Sequence, residues 1–155
     1  MPLSEVRRPD RRGTSAEALE LVARARFGHL GTVTEDGYPY VIPVYHAVVD
    51  GKILLHSGPR GHKLANIARD GRVCFETADF IADVQNDRLC DWDAKYESAV
   101  IFGHAEVLTD AAAKMAALQA VAQKYAGRTG PLTPRDVATV TVVAITVEAA
   151  TFKRN

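Results

Sequence analysis

Two Asp-Gly steps, Asp36-Gly37 and Asp50-Gly51, constrain this chain more than any other feature. An Asp-Gly pair between alternating apolar segments marks a tight hairpin turn, because the turn needs positive φ where aspartate and glycine tolerate it. The flanking segments fit that reading. Leu30 to Thr34, Tyr38 to Val49 and Lys52 to Ser57 alternate with the period of strands, so from His29 onward the sequence predicts three antiparallel strands in succession.

The rest of the chain is read outward from this meander. A helix is expected from Ser15 to about Arg26, with Ser15 as its cap and Ala18, Leu19, Val22 and Ala23 on its apolar stripe. A short helix is expected from Pro59 or Arg60 to Asp70, and a fourth strand from Arg72 to Phe80. Asp79 to Glu97 holds six acids against Arg88 and Lys95, carries the only tryptophan, Trp92, and reads as a long connection. Ser98 to Leu108 is the fifth expected strand. Thr109 then caps a helix to about Tyr125, Gly127 to Pro134 breaks the pattern, and Thr139 to Phe152 is the sixth strand. Residues 1–13 read as an N-terminal arm, and 14–155 as a single domain. The arm is expected to be mobile or to strap a partner subunit, its arginines meeting that subunit's acidic connection.

Six mostly hairpin-connected strands with peripheral helices predict a mainly β (α+β) protein built on a small antiparallel barrel. A doubly wound sheet is excluded, since no GxGxxG follows a strand and the strands are too close for helical crossovers.

Composition narrows the function. Lysine plus arginine number 19 and aspartate plus glutamate number 19, so no basic surplus exists to hold a nucleic acid or an anionic membrane. No apolar run is long enough to span a bilayer and no signal-type h-region follows the N-terminus, which sets a cytoplasmic expectation. Cys74 and Cys90 form no CxxC and are read as structural. His29, His46, His56, His62 and His104 show no metal-ligand spacing, so no metal site is expected. Ser57 and Ser98 lie in no GxSxG context.

The segment His56-Ser57-Gly58-Pro59-Arg60-Gly61-His62-Lys63 is chemically distinctive. A strand ends, glycine and proline turn the chain, and a helix starts with basic side chains where the helix dipole disfavours them. That arrangement suits a phosphate: backbone N–H groups face the anion, Lys63 and Arg60 neutralise it, and Ser57 donates a hydroxyl. A solvated basic first turn is the other reading. Pro43, inside Val41-Ile42-Pro43-Val44, forfeits a donor and so belongs at a sheet edge, at a bulge or against a ligand.

Taken in order, Gly31-Thr32-Val33, Asp36-Gly37-Tyr38-Pro39, Val41-Ile42-Pro43-Val44, His56-Ser57, Gly61-His62-Lys63-Leu64-Ala65-Asn66-Ile67, Arg72-Val73-Cys74-Phe75 and Tyr96-Glu97-Ser98-Ala99-Val100-Ile101-Phe102-Gly103 resemble the pyridoxamine 5'-phosphate oxidase-like flavin proteins. The nitroimidazole-reductase branch is the most similar. The resemblance implies a six-stranded FMN-binding split barrel that dimerises with FMN at the subunit interface. It implies that Val41, Ile42, Pro43 and Val44 line the isoalloxazine, that His56, Ser57, Gly61, His62, Lys63 and Asn66 surround the phosphate, and that Tyr96 and Ser98 approach from the other subunit. The flavin itself would carry electrons from NADH or NADPH to a small organic acceptor, with no obligatory catalytic side chain. Tyr45, His46 and His104 are the candidates for the substrate side. The chain ends Thr151-Phe152-Lys153-Arg154-Asn155 without the phosphate-reading arginine segment of true pyridoxamine phosphate oxidases, which argues against vitamin B6 oxidation. The alternatives are F420 or haem in the same fold, with His62 or His104 as a haem ligand, and a flavin-binding protein without turnover.

Overall fold

The computed structural model describes residues 6–155. Helix α1 (Ser15–Arg24) leads into strands β1 (Gly28–Val33), β2 (Pro39–Val44), β3 (Ala47–Val49) and β4 (Lys52–Ser57), then α2 (His62–Arg69). Strands β5 (Arg72–Val84) and β6 (Asp93–Val107) follow, then α3 (Ala111–Ala126), α4 (Pro134–Ala138) and β7 (Thr141–Arg154). Both Asp-Gly steps are turns with positive φ, at +86° for Gly37, +50° for Asp50 and +75° for Gly51.

The strands form one antiparallel sheet of order β2-β1-β5-β6-β7-β4-β3. β2 and β3 lie at its opposite edges, yet only Tyr45-His46 separates them in the chain. A flat sheet of that width would hold its edges about 29 Å apart, whereas three peptide steps reach about 11 Å. The sheet therefore curls until its edges nearly meet, giving a barrel split between β2 and β3.

The expected Tyr38–Val49 strand is thus two, and the sheet has seven strands where the sequence predicts six. The expected connection from Asp79 to Glu97 is mostly strand, leaving only residues 85–92 outside β5 and β6. Acids had marked it as loop, but Asp79 pairs across from Glu97 in the β5–β6 ladder and α1 neutralises both. Arg24 Nε lies 3.3 Å from Asp79 Oδ2, and Arg24 Nη2 also contacts Glu97. Two helix caps shift by one residue. Thr14 rather than Ser15 caps α1 in a reciprocal box with Glu17, and Asp110 rather than Thr109 caps α3 through Ala113 N. The short α4 starts at the end of the expected break and fills 135–138, where no element is expected, capped by Thr133 and Asp136.

Leu30, Ile53, Leu55, Phe75, Ile101, Val143 and Ile145 fill the barrel, and Ala18, Leu21 and Val22 of α1 close it. A second cluster seats Ala117 of α3 on Leu54, Val142 and Ala144. Residues 6–13, the described part of the arm, run beside their own β7. Gly13 N donates to Phe152 O at 3.0 Å, Arg12 bridges Lys153, and Arg11 lies 3.5 Å from Asp93. No helix among the described residues is long and apolar enough to cross a membrane.

Candidate functional site

The expected phosphate loop joins β4 to α2. Ser57, the last residue of β4, is buried, and its Oγ has no hydrogen-bond partner among the described residues. An orphaned buried hydroxyl costs about 1–3 kcal/mol, so an acceptor beside it is worth having. Gly61, at φ +145°, swings the chain into α2 and caps it without any side-chain hydrogen bond. The first turn contains no acid. Gly58 and Gly61 leave open space where a side chain would stand. His56 and His62 are exposed and Lys63 half-buried, and among the described residues none of them, nor Arg60, has a carboxylate partner. Donors, cations and space thus follow one another along the β4–α2 turn, with no carboxylate paired to them among the described residues. This set fits a phosphate.

Helix α2 is held against the β1–β2 hairpin. Asn66 is buried and donates through Nδ2 to Thr32 Oγ1 at 2.9 Å, while Arg69 donates to the Val33 carbonyl. Asn66 thus fixes the helix on the sheet, with its amide turned inward rather than toward the loop. The His62 and Tyr40 rings lie 5.8 Å apart, which brings the start of α2 beside β2.

β2 is an edge strand hydrogen-bonded only to β1, so the missing donor of Pro43 costs no ladder bond. Val41 and Pro43 are exposed on the outer sheet face, whereas Ile42 and Val44 pack against the core. Contact from the latter two to a ligand is limited to backbone and edge atoms. The cross-strand register puts Val41, Gly31, Cys74 and Phe102 in one row across four strands. Around that row lies a largely apolar cavity of about 530 Å³, rimmed by Asp70, Arg72 and Glu148. Burial holds the Cys74 thiol above its ordinary pKa, so it is protonated at neutral pH.

Tyr96 and Ser98 share this outer face but stand on β6, separated from β2 by β1 and β5. Lys153 donates to the Tyr96 hydroxyl and sits 4.8 Å over its ring. Three strand spacings, about 14 Å, divide these two residues from β2. A single chain does not bring the two groups together.

The substrate-side candidates separate completely. His104 is exposed on the outer face opposite Arg72. Tyr45 is stacked between Phe27, at 4.9 Å, and Tyr125, at 4.1 Å, at the corner joining β2 to β3. His46 is fully buried, so it lines no surface. Its Nε2 lies 2.6 Å from the Val22 carbonyl, a distance that places the ring proton there and leaves Nδ1 without a partner. Lys124 Nζ approaches to 3.1 Å, and the Tyr125 hydroxyl accepts from His46 N at 3.0 Å. Burial lowers the His46 pKa and pushes Lys124 down to about 8. Tyr125 lies near the end of α3, where the sequence predicts that helix to stop; nothing local marks Lys124 as reaching the corner.

An antiparallel sheet curled and split between β2 and β3, with an acid-free basic helix start beside the edge strand, defines a split-barrel protein. The chain belongs to the pyridoxamine 5'-phosphate oxidase family, whose model matches residues 14–154. Its fold is shared with a protein assigned to 5-nitroimidazole antibiotic resistance in Bacteroides thetaiotaomicron, 24% identical, with a TM-score of 0.77 over 90% of this chain and 83% of that one. The flavocytochrome Anf3 from Azotobacter vinelandii is 17% identical, with a TM-score of 0.85 over 100% and 74% of the two chains. The FAD and heme binding protein from Mycobacterium smegmatis is 19% identical, with a TM-score of 0.80 over 94% and 73%. A search of the curated proteins returns no match.

Proposed function

We propose that this protein is an FMN-dependent oxidoreductase that works as a homodimer, taking electrons from a reduced nicotinamide and giving them to a small organic acceptor. The observation that carries the reading is the β4–α2 turn, where the orphaned Ser57 hydroxyl stands beside an acid-free, uncompensated basic helix start. In this reading Ser57 donates to the phosphate, Lys63 and His62 balance its charge, and the free amides of the first turn complete the cradle. Arg60 and His56, both exposed, reinforce the local positive potential. The exposed flank of β2 at Val41 and Pro43 gives a flat surface for a planar ring, with Ile42 and Val44 holding that strand to the barrel. A bound flavin supplies the hydride and electron chemistry, and the protein supplies position and polarity. Separation of Tyr96 and Ser98 from β2 supports the dimer, because a second copy facing the outer surface is what would bring them to the ring.

The decisive experiment is purification followed by the absorbance spectrum and mass identification of the released cofactor. A two-band flavin spectrum with FMN released, and reduction by NADH or NADPH, is the expected result. A Soret band, or uptake of F420 but not FMN, would replace the cofactor, and a flavin that neither nicotinamide reduces would leave a binding protein. Lys63→Ala is expected to weaken FMN binding about tenfold to a hundredfold, the range for a hydrogen bond to a charged group. Unchanged affinity would remove Lys63 from the site.

A further inference from the structure

Alternation along β1 and β2 turns His29, Gly31 and Val33 of the first strand and Pro39, Val41 and Pro43 of the second to the outer face of the sheet. Phe27 and Tyr45 extend that face by one row, stacked at 4.9 Å and 47% and 39% exposed. Of these residues only His29 exchanges a proton near neutral pH. The register sets it opposite Pro43 on one side and Glu76 of β5 on the other, in a row completed by Val100 of β6 and Thr151 of β7. Opposed side chains in such a row stand about 5 Å apart. One row along, about 7 Å away, Val41, Gly31 and Cys74 line the apolar cavity, and the same distance the other way lies the Phe27–Tyr45 pair.

His29 is held in a definite protonation geometry. Its Nδ1 lies 2.9 Å from Glu76 Oε2. A carboxylate only accepts, so Nδ1 carries the proton and Nε2 is the atom left to give or take one. Among the described residues Nε2 makes no hydrogen bond, and no lysine or arginine pairs with Glu76, so His29 is its one ionic partner. The titratable groups facing the imidazole are Glu76 and the neighbouring Cys74 thiol from β5 and the Tyr45 phenol from the end of β2; β6 offers only Val100 in this row. An exposed pair of this kind adds about 0–1 kcal/mol to stability, so it does little for the fold.

We propose that His29 is the proton donor to the acceptor, that Glu76 is its positioning residue, and that the acceptor is a flat, uncharged molecule that takes its proton on oxygen. The proposal rests on the flavin reading above. Apolar and aromatic flanks on both sides of His29, with no cation among them, suit such an acceptor. With a quinone the balance is complete. A hydride from the reduced cofactor brings two electrons and one proton, and the second proton passes from Nε2 of the imidazolium to the quinone oxygen, the O–H bond forming as the N–H bond breaks. The quinone becomes a hydroquinone, the cofactor is left oxidised, and the neutral ring regains its proton from water while Glu76 keeps Nδ1–H in place.

The first measurement needs no cofactor. Nitrogen-15 NMR of the stripped protein, at a pH where the ring is neutral, is expected to show the His29 proton on Nδ1, and Glu76→Ala is expected to move it to Nε2. A parent protein with the proton on Nε2 overturns the arrangement. The FMN-loaded protein is then oxidised in single turnovers by 1,4-benzoquinone and, in parallel, by ferricyanide, which takes electrons without a proton, so the ratio of the two rates isolates proton delivery. His29→Gln is expected to lower that ratio about a hundredfold, the lower end for a general acid. Glu76→Gln is expected to lower it less and to move the pH profile of quinone reduction, which a packing role would leave in place. FMN uptake with an unchanged ratio in His29→Gln overturns the proton donor and leaves the flavin reading standing. A protein that takes up no FMN overturns the flavin reading and this step together.

Discussion

Ser57→Ala separates a hydroxyl reserved for a ligand from one that merely packs. The Ser57 Oγ is buried without a hydrogen-bond partner among the described residues. Removing it abolishes an unmet desolvation cost of about 1–3 kcal/mol while deleting one heavy atom. For a chain of this length each kcal/mol moves the midpoint by about 2–4 °C, so the cofactor-free variant should melt several degrees higher. With FMN the sign reverses. Loss of a hydrogen bond to a charged phosphate costs about 1.5–3 kcal/mol, a weakening of about tenfold to a hundredfold. Calorimetry of the stripped protein and fluorescence titration with FMN measure the two effects on one sample. A cofactor-free variant that melts lower, or one that binds FMN as tightly as the parent, would refute the reasoning, since the first outcome means the hydroxyl already has a partner and the second that the phosphate is elsewhere.

Other perturbations test the fold around the site. Lys124 has its pKa lowered to about 8 by burial, so between pH 8 and 10 the unfolded chain holds the proton that the folded chain has released; stability rises with pH across that window by about 1 kcal/mol after allowance for partial exposure, and Lys124→Met should flatten the rise in urea titrations. His46 follows the same sign at lower pH: its folded pKa lies below 6.5, so stability falls as the pH drops below that value, and His46→Gln should remove that part of the loss. Thr14→Ala dismantles the capping box of α1 and should cost about 1 kcal/mol in chemical denaturation. Gly103→Ala would drive a methyl to 2.2 Å from the Thr146 carbonyl at the β6–β7 bulge, so it should lower the melting midpoint, and an unchanged midpoint would mean that β7 shifts freely there.

Much of this molecule is legible residue by residue. The Asp-Gly turns at Asp36-Gly37 and Asp50-Gly51 appear where written, because positive φ is a local demand that few residues meet. The basic turn from His56 to Lys63 is likewise a local fact, since a strand end, two glycines and a proline leave the helix little choice of starting point. Pro43 marked β2 as exceptional, and its place at an edge follows from the donor it lacks.

What the tertiary structure decided are the matters of juxtaposition. His46 looks like Tyr45 in sequence, one residue along at the same corner, yet His46 is fully buried against Val22 of α1 while Tyr45 lies at the surface between Phe27 and Tyr125, because helices distant in sequence pack on this corner. The acids from Asp79 to Glu97 hid the far ends of β5 and β6, where the Asp79–Glu97 pair is met by Arg24, distant in sequence and supplied by α1. Ser57 is an ordinary strand residue until β4 pairs with β7, across more than eighty residues of chain, and leaves its hydroxyl without a partner. The sequence by itself therefore determined the turns, the alternation and the basic helix start, all set by interactions within a few residues. Which edges meet, which face stays open and which polar atoms are left unpaired were decided only on closure of the barrel, because they depend on contacts whose partners local pattern does not specify.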